Sequence, residues 1–551
     1  MKAADAFVAT LRACGVDTFF GLPGSTEAPL LEALRADGAI RYVLALHEGV
    51  AVAMADGYAR ASGSPGVVGL HTTVGTMNGM SQLFNSSRDG IPVVLTAGHK
   101  DRDVLSESGF CSFPELASLL RPFTKSAWQS LTAEQIPADL ARALLAATTQ
   151  PRGTAYLAVP EDLLGAQLPD PWDVRSLPGV RHAASALAPQ PDELGAIAER
   201  LRVARSPVMV LGTAAVSATA AALELATQLG LPVLAADLTD LAAFSFPASS
   251  PNFLGVYGEE PAVLESCDLV LAVGSRVFYP FSKRLRPKLP SGAGLIHIHP
   301  NAAEVGRRQP TEIGVVGDPQ AVLEGLSSRF RSQASRDLAG SERIKSLARL
   351  REARTATVAA ELEGLRGRKP MAVAEVVAEL SRVLPRGTIL LDEGVRASRA
   401  LFRYGGVPED GEIWRSSGGS LGWGVPAAVG AKLASPERPV VLIVGDGSLH
   451  FSIQALWTAV VQKAPVVVVV VDNGGYLAVK RAIENHLALA HDPRVHPGTE
   501  LAGIDHVGVA RAYGASAVVA GTAAEVAEAV EDGLAQDRVQ VVEVPVEQIR
   551  P

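Results

Sequence analysis

The chain has 551 residues, of which 48% are hydrophobic and 20% are charged, and its formal net charge is −8. This length exceeds a single hydrophobic core and predicts about three domains of ordinary size. The acidic balance argues against the basic surface of a nucleic-acid-binding protein. The three cysteines, Cys14, Cys111 and Cys267, lack the spacing of a metal or redox motif, and we expect a cytoplasmic protein.

The first predicted domain covers residues 1–165. Its opening segment, Met1 to Leu11, has the spacing of an amphipathic helix and not of a targeting leader. Helical stretches then alternate with apolar strands, which we predict at Tyr42–Leu46, Val67–Leu70, Pro92–Thr96 and Thr154–Val159. Strands that alternate with helices predict a parallel sheet covered on both faces.

Three polar residues of this domain, Ser25, Glu48 and His71, stand near the junctions of strands and helices. Glu48 is either a first-turn acid favoured by the helix dipole or a semi-buried functional carboxylate. Ser25 is either the cap of a helix that begins near residues 26–28 or a contact to a ligand. His71 is either a core histidine or a group at a strand end, where α/β sheets bind ligands.

A proline-rich linker, residues 166–191, leads to a second α/β domain at residues 192–325. Its strands are predicted at Pro207–Gly212, Val233–Ala236, Leu269–Val273 and Leu295–His299. The segment 208–215 lacks the Gly-x-Gly-x-x-Gly pattern, which argues against FAD. We interpret His297 and His299 as packing residues because they alternate along one strand. Residues 326–369 are charged and helix-forming, and they predict a connecting arm.

The third domain, residues 370–551, carries the most informative pattern. The strand Val440–Val444 runs into Gly445-Asp446-Gly447-Ser448, and the strand Val466–Val471 runs into Asp472-Asn473-Gly474-Gly475. A right-handed crossover between the two strands puts both strand ends at one edge of a parallel sheet. Asp446 and Asn473 would then be oxygen ligands for a hard cation such as Mg²⁺. The glycines allow backbone N–H groups to approach a diphosphate.

This pattern resembles the signature of thiamine-diphosphate-dependent enzymes, in which Gly-Asp-Gly is followed at a similar distance by Asn. The resemblance covers essentially the whole chain and is closest to the benzoylformate decarboxylase family, through the segments Phe20–Ser25, Leu70–Thr76, Leu95–Gly98 and Gly418–Trp423. It implies an α/β fold of three doubly wound domains with mainly parallel sheets. These would be a pyrimidine-binding, a middle and a diphosphate-binding domain.

The resemblance also implies roles for single residues. Asp446, Asn473 and the carbonyl of Gly475 would hold Mg²⁺ against the diphosphate of the cofactor. Glu48 would hydrogen-bond the cofactor pyrimidine and activate the cofactor, Ser25 would bind the substrate carboxylate, and His71 would relay protons. The Gly419 carbonyl would accept a hydrogen bond from the pyrimidine, and Leu421 would bend the cofactor. The remaining implied cofactor contacts are Glu393, Gly394, Val395, Gly445, Gly447, Ser448 and Tyr476.

Departures from the family pattern concern the substrate. A middle-domain histidine assists proton transfer in the family, and Phe281 stands at that position here, so this half of the relay is missing. Leu477 stands in place of a smaller residue and would narrow the pocket. The loop 480–498, with His486, His491 and His496, would cover the site.

We therefore expect thiamine-diphosphate-dependent, non-oxidative decarboxylation of a 2-oxo acid, benzoylformate-like or otherwise apolar, to an aldehyde. The alternative is a carboligase or 2-hydroxyacyl lyase of the acetolactate-synthase-like type, which forms or cleaves a C–C bond. A catalytically degenerate homologue is the third possibility, against which the intact Glu48, His71 and Asp446 argue.

The resemblance implies a homodimer as the minimal active unit, because the two halves of the site come from different subunits in this superfamily. A homotetramer is the implied assembly. We expect no nucleic-acid partner, and no membrane partner, since the apolar run Val466–Val471 is far too short to span a bilayer.

Overall fold

Three sheets of mainly parallel strands, separated along the chain by helices, form the molecule. The computed structural model describes residues 1–169, 172–176, 188–280, 288–332, 338–395, 397–487, 496–501 and 503–547, with the side chains of residues 338–341 left out. Phe281 and His491 are outside the described residues. Of the predicted loop 480–498, residues 480–487 are helical instead, and residues 488–495 are outside the described part. The predicted α/β class with three parallel-sheet domains is confirmed.

The first sheet has six parallel strands in the order β2-β1-β3-β4-β6-β5. Its strands are β1 Thr18–Gly21, β2 Arg41–Leu44, β3 Gly66–His71, β4 Val93–His99, β5 Ser126–Gln129 and β6 Ala155–Pro160. Its helices are α1 Ala3–Ala13, α2 Ala28–Asp37, α3 Glu48–Ser62, α4 Thr72–Asp89, α5 Arg102–Ser106, α6 Leu116–Leu120, α7 Ile136–Thr148 and α8 Glu161–Gly165. All seven residues of β4 are buried, as expected for a parallel strand covered on both faces.

The second sheet also has six parallel strands, in the order β10-β8-β7-β11-β12-β13. The strands of this part of the chain are β7 Pro207–Leu211, β8 Val233–Ala235, β9 Ala243–Phe244, β10 Phe253–Val256, β11 Leu269–Val273, β12 Gly294–His299 and β13 Ile313–Val316. Its helices are α9 Pro191–Val203, α10 Thr219–Leu229, α11 Pro261–Leu264 and α12 Pro319–Ser332. Within β12, His297 Nε2 bonds the Ser275 carbonyl at 2.8 Å, and His299 Nδ1 accepts from the Asn301 N–H at 3.0 Å.

The third sheet has the order β18-β19-β17-β16-β14-β15-β9, and it therefore borrows the two-residue strand β9 from the second domain. Its own strands are β14 Ile389–Glu393, β15 Glu412–Trp414, β16 Val440–Gly445, β17 Val467–Asp472, β18 Ser516–Val519 and β19 Gln540–Pro545. The helices are α13 Leu338–Leu365, α14 Val373–Val383, α15 Ala397–Tyr404, α16 Gly424–Ala434, α17 Asp446–Leu449, α18 Ala455–Val461, α19 Leu477–Leu487, α20 His506–Ala512 and α21 Ala523–Ala535.

Helices α3 and α16 join the first and third domains by very close packing. A Cβ at Gly57 of α3 would lie 2.0 Å from the Ala427 carbonyl oxygen, and a Cβ at Gly430 of α16 would lie 1.9 Å from the Met54 carbonyl oxygen. Gly57 therefore meets Ala427 while Met54 meets Gly430, so the two helices run antiparallel. Glycine at both positions lets the two backbones touch.

The strands predicted from the sequence all lie where β-strands occur, with ends shifted by at most three residues. The predicted arm, residues 326–369, contains the end of α12 and the long helix α13. The proposed domain bounds of 1–165, 192–325 and 370–551 stay predictions. In the described part of the chain, no helix is both long and apolar enough to cross a bilayer.

Candidate active site

Glu48 lies at the carboxyl edge of the first sheet, as the first residue of α3. Its side chain is buried, with 9% of the residue exposed, and its Oε2 accepts a hydrogen bond from Asn78 Nδ2 at 3.1 Å. The preceding residue, His47, caps the helix by accepting from the Gly49 N–H at 3.0 Å. Gly75 of α4 packs against the carboxylate, because a Cβ there would lie 3.3 Å from Glu48 Oε1. The carboxylate is thus held in one orientation at the N-terminus of a helix.

His71 ends β3 at the same edge, and its ring is oriented by a short segment after β1. Its Nδ1 lies 3.1 Å from Glu27 Oε2 and 3.0 Å from Thr26 Oγ1. A proton on Nδ1 is donated to the Glu27 carboxylate, which leaves Nε2 for proton exchange. The next residue, Thr72, has a φ of +49°, an unusual conformation for a β-branched side chain. Such strain is typical of functional turns.

Ser25 is exposed beside His71, in a 3-10 turn formed by Ser25–Glu27. The preceding Gly24 lies directly against the imidazole, since a Cβ there would come within 2.1 Å of the His71 ring. Neither this turn nor the following α2 has a side-chain cap hydrogen bond, so the alternative interpretation of Ser25 as a helix cap lacks support. Ser25, Glu48 and His71 are therefore brought to one edge of the first sheet.

Asp446 and the segment after β17 lie together at the carboxyl edge of the third sheet. The strands β16 and β17 are paired in parallel, with Gly445 opposite Val471. Asp446 is 2% exposed, and burial together with the Asp472 carboxylate raises its pKa. The Asp446 Oδ2 atom is buried and, among the described residues, has no hydrogen-bond partner.

The segment Asn473–Tyr476 is fixed by an antiparallel contact with Thr499 and Glu500. The Tyr476 N–H donates to the Thr499 carbonyl at 2.9 Å, and a Cβ at Gly475 would lie 2.1 Å from that same oxygen. The Tyr476 ring covers Gly447, where a Cβ would lie 2.6 Å away from it. Backbone groups of Gly447 and Gly475 hydrogen-bond the Asp446 carboxylate. We call Asp446 and the residues next to it after β16 and β17 the cradle: Gly445, Gly447, Ser448, Asn473, Gly475 and Tyr476.

Glu393, at the end of β14, holds the loop that precedes α16. Its carboxylate accepts from the N–H groups of Gly422, Trp423 and Gly424 at 2.6, 3.2 and 2.8 Å. Burial raises the pKa of Glu393 to about 7, although these three N–H groups act to lower it. Gly394 and Val395 follow directly, and Val395 has a φ of +51°. The Glu393 carboxylate is therefore occupied by a helix N-terminus.

The loop that carries Gly419 and Leu421 is clamped by α4 of the first domain. Asn85 Nδ2 donates to the Ser420 carbonyl at 2.8 Å, and Asn85 Oδ1 accepts from the Ser420 N–H at 3.1 Å. Gln82 Nε2 donates to the Leu421 carbonyl at 2.8 Å. Gly419 has a φ of +85° and is exposed, and the Leu421 side chain is half-buried. Two amide side chains from another domain thus fix the shape of this loop.

Within one chain the two groups of residues lie at opposite ends of α3. Trp423 Nε1 donates to Asp56 Oδ1 at 2.9 Å, so the loop of Gly419 and Leu421 lies beside Asp56. Glu48 is eight residues earlier on α3, a distance of about 12 Å along the helix axis. Asp446 lies near the same end of α3 as Asp56. Glu393 accepts from the Trp423 N–H and is paired with Val444, two residues before Asp446, in the parallel strands β14 and β16. The structure does not bring Glu48 together with Asp446 in one subunit.

Five residues that contact the predicted site residues were not predicted from the sequence. They are Glu27 and Thr26 beside His71, Asn78 beside Glu48, and Gln82 and Asn85 beside the loop of Leu421. Glu27 could have been noticed as an acid two residues after Ser25. Asn78 had no such signal, because it lies in the middle of a helix. A cavity of about 1010 Å³ opens between the domains, and its described lining contains none of the predicted site residues.

Comparisons with known proteins cover the whole chain. Models of the thiamine pyrophosphate enzyme family match as the N-terminal TPP binding domain at residues 1–116, the central domain at 194–326 and the C-terminal TPP binding domain at 398–544. The chain is 34% identical to benzoylformate decarboxylase from Pseudomonas aeruginosa, over 98% of both chains. It is 28% identical to the acetolactate synthase large subunit of Haemophilus influenzae, over 86% of this chain and 82% of that one.

Solved structures agree with these matches. A thiamine diphosphate-dependent 4-hydroxybenzoylformate decarboxylase from Rhodococcus jostii RHA1 superposes with a TM-score of 0.86 at 31% identity, over 100% of both chains. A benzoylformate decarboxylase from Polynucleobacter necessarius gives a TM-score of 0.84 at 26% identity, over 100% of this chain and 99% of that one. The predicted family resemblance and the predicted thiamine diphosphate cofactor are confirmed.

Proposed function

Because the chain belongs to the thiamine pyrophosphate enzyme family, we propose that it decarboxylates an apolar, aromatic 2-oxo acid to the aldehyde and CO₂. The observation that carries this proposal is the full-length similarity to benzoylformate decarboxylase, together with Ser25, Glu48 and His71 at one sheet edge. The expectation of a thiamine-diphosphate-dependent 2-oxo acid decarboxylase is borne out by the same relatives.

The cradle around Asp446 fits Mg²⁺ and a diphosphate. Asp446 Oδ2 is a buried carboxylate oxygen that the described protein atoms leave without a hydrogen bond, and such an oxygen is a good ligand for a hard cation. Asn473 and the Gly475 carbonyl would complete the protein ligands of the ion. Gly447 has no side chain, and a Cβ there would collide with the Tyr476 ring. Its backbone N–H would therefore be accessible to the phosphates.

Thiamine diphosphate, when bound, supplies a carbon nucleophile and an electron sink for the loss of CO₂. Glu48 contributes the acid–base chemistry that activates it, by sharing a proton with the pyrimidine ring. The hydrogen bond from Asn78 occupies Oε2 of the carboxylate, so Oε1 would be the oxygen that bonds the pyrimidine. Glu393, in turn, holds the loop in which the Gly419 carbonyl would meet the pyrimidine and Leu421 would bend the cofactor.

His71 and Ser25 act on the substrate. Ser25, exposed at the sheet edge, binds the substrate carboxylate through its hydroxyl. His71 uses Nε2 to give and take the proton that the aldehyde product gains, while Glu27 and Thr26 hold Nδ1. Glu27 is thus a positioning residue, and its carboxylate balances the charge of His71 whenever the ring carries two protons.

A homodimer is the smallest assembly in which this site is complete. The separation of Glu48 from Asp446 along α3 supports a site in which Glu48 of one subunit acts on a cofactor held by Asp446 of another. We propose a homotetramer built from two such dimers, and a cytoplasmic location. These assignments extend beyond the family match.

The alternative is carboligation, in which the substrate carbon that loses CO₂ would be joined to a second carbonyl compound and not to a proton. The similarity to acetolactate synthases over 86% of the chain favours keeping it, as does Phe281 in place of a proton-transferring histidine. The benzoylformate decarboxylase from Pseudomonas aeruginosa and the 4-hydroxybenzoylformate decarboxylase from Rhodococcus jostii match at higher identity and coverage than this synthase, so decarboxylation remains the first proposal.

The deciding experiment offers benzoylformate, 4-hydroxybenzoylformate and a set of aliphatic 2-oxo acids to protein loaded with Mg²⁺ and thiamine diphosphate. Both CO₂ and organic products are followed by mass spectrometry. We expect aldehyde in step with CO₂, fastest with the aromatic acids. CO₂ with a 2-hydroxy ketone and little aldehyde would establish the carboligase instead, and no CO₂ from any acid would overturn both.

A further inference from the structure

A second group of side chains of metal-ligating types lies next to the cradle of Asp446. It contains none of the site residues predicted from the sequence. Asp472 ends β17, Glu543 belongs to β19, and His506 is the first residue of α20. One ligand atom from each of the three side chains lies within 4.8 Å of the other two. We name Asp472, His506 and Glu543 the rear cluster.

The strand register explains why the two carboxylates meet. Val470 of β17 is paired with Glu543 of β19 in parallel. Asp472 lies two residues after Val470 and therefore on the same face of the sheet, because side chains alternate along a strand. The N-terminus of α20 then lays His506 over that face. The rear cluster is therefore built on two neighbouring strands and one helix start, which are rigid elements.

The negative charge in the rear cluster is not balanced by a permanent cation. The ionisable side chains that act on Glu543 are His506, Asp472 and Asp505, with no lysine or arginine among them. Within the described part of the chain, neither Asp472 nor Glu543 forms an ion pair with a lysine or arginine. His506 is 2% exposed. Carboxylates grouped at a buried imidazole without a cation are costly unless a proton or a metal ion joins them.

His506 already has the second contact that ligating histidines commonly have. Its Nδ1 lies 2.9 Å from Nε2 of His450, the residue that follows α17. This hydrogen bond fixes the ring and leaves the Nε2 atom of His506 for an ion, just as the outer partner of a metal-bound histidine does. His450 thus orients the ligand, although it is not part of the rear cluster.

We propose that Asp472, His506 and Glu543 form a second divalent-cation site, separate from the Mg²⁺ site predicted at Asp446, Asn473 and Gly475. One imidazole nitrogen and two carboxylate oxygens suit a transition-metal dication such as Zn²⁺ better than Mg²⁺, which prefers oxygen ligands only. The ligand atoms are now at most 4.8 Å from one another. Around a tetrahedral ion with bonds of about 2.0 Å they would be about 3.3 Å apart, so small side-chain movements would complete the site. Water would supply the remaining ligand.

An ion at this position would bind β17, β19 and α20 to one another. Asp472 directly precedes Asn473, and its Oδ1 accepts from the Gly474 N–H at 2.9 Å. The ion would therefore fix the turn that carries the predicted Mg²⁺ ligands, and its role would be structural support of the cofactor site. This proposal concerns ion binding alone and does not depend on which 2-oxo acid is the substrate.

The test measures Zn²⁺ binding without any turnover. Protein stripped with EDTA is saturated with Mg²⁺ and thiamine diphosphate and then titrated with Zn²⁺ in competition with a chromophoric chelator. We expect one Zn²⁺ per chain, with affinity lowered at least about tenfold in both His506→Ala and Glu543→Gln. His486→Ala is the matched control, because His486 is exposed on α19 and its loss should leave Zn²⁺ binding unchanged.

Several outcomes would overturn the proposal. The first is wild-type protein that binds no Zn²⁺ more tightly than about 10 μM. The second is unchanged binding in both rear-cluster variants. The third is Zn²⁺ lost in Asp446→Ala but kept in His506→Ala, which would put the ion in the predicted Mg²⁺ site. Glu543→Gln preserves size and shape, so it tests the proposal even where His506→Ala fails to fold.

Discussion

His71 depends for its orientation on residues more than forty positions away in the chain. Glu27 is buried, and besides His71 it accepts hydrogen bonds from the Gly24 N–H and from Thr26 Oγ1, both at 2.8 Å. These two bonds fix the Glu27 carboxylate independently of its contact with the imidazole. A histidine held in this way has one nitrogen committed and the other available, which is the arrangement that proton transfer requires.

We predict that His71→Ala lowers turnover by about 10²- to 10⁴-fold, because it removes the group that moves the proton. Glu27→Gln should cost less, about 10- to 100-fold, by loosening the ring and changing the pH profile of kcat. The measurement is steady-state kinetics across pH, together with cofactor binding, which both variants should retain. Glu32→Gln is the control, because that side chain is 60% exposed on α2. Wild-type kinetics in His71→Ala would exclude this residue as the proton relay.

A second prediction at this scale concerns stability and pH. Burial, with help from neighbouring His297, lowers the pKa of His299 to about 4. The unfolded chain therefore takes up a proton near pH 6.5 that the folded protein resists until about pH 4. The contribution of His299 is fully present above pH 6.5, and about 3 kcal/mol of it is lost as the pH falls to 4.

His299→Asn keeps an acceptor for the Asn301 N–H and removes the titration. Denaturant unfolding between pH 7 and pH 4 should therefore show a smaller loss of unfolding free energy in the variant than in the wild type. Equal pH slopes for the two proteins would contradict the prediction.

At the scale of elements, the alternation of apolar runs with helical stretches predicted the strands well. Leu269–Val273 was predicted to the residue, because five buried apolar residues in succession indicate a central parallel strand. The two-residue strand β9, which pairs antiparallel with β15 of another domain, left no periodicity in the sequence to detect. The strand-end residues Ser25, Glu48, His71 and Asp446 could be selected for the same local reason, whereas Asn78 and Gln82 depend on how helices pack.

The contact of α3 with α16 gives a prediction at this scale. Gly430→Ala would put a methyl group 1.9 Å from the Met54 carbonyl oxygen if neither helix moved. Two helix backbones must then separate, which we expect to cost about 1–3 kcal/mol of unfolding free energy. This is the net cost that remains after the gain in helix propensity from Gly to Ala, which is about 1 kcal/mol at most.

Gly364→Ala is the matched control, because Gly364 lies in α13 and a Cβ there would meet nothing within 4 Å. We expect this variant to be as stable as the wild type or slightly more stable. Denaturant unfolding of both variants measures the difference. A Gly430→Ala protein of wild-type stability would mean that α3 and α16 can separate at no cost.

At the scale of the whole molecule, the close contact of α3 and α16 determines how Glu48 and the Asp446 cradle are placed relative to each other. It holds the first and third domains so that the Asp446 cradle lies near the Asp56 end of α3, while Glu48 lies at the other end. With the roles proposed for Glu48 and Asp446, each chain would present an acid–base half and a cofactor-binding half that do not face each other. Two copies related by a twofold axis would bring each half to its complement, because such an interface is self-complementary.

This arrangement predicts complementation between two inactive variants. Glu48→Gln should keep cofactor binding but lose most turnover, and Asp446→Ala should lose Mg²⁺-dependent cofactor binding. In a mixed dimer, one of the two sites combines an intact Glu48 with an intact Asp446. Random association makes half of the dimers mixed, so activity should return to about a quarter of the wild-type level before separation and to about half of it in the isolated mixed dimer.

The experiment co-expresses the two variants with different affinity tags and isolates the mixed species by two purification steps. Turnover of the best 2-oxo acid and cofactor content are then measured for the mixed and the homogeneous proteins. The double variant, with both changes in one chain and none in the other, gives the contrasting result. If the halves meet across subunits, each site in that mixed dimer lacks one group, so it should be inactive. If both halves acted within one chain, its unchanged subunit would keep full activity per site, and the two single variants would not rescue each other.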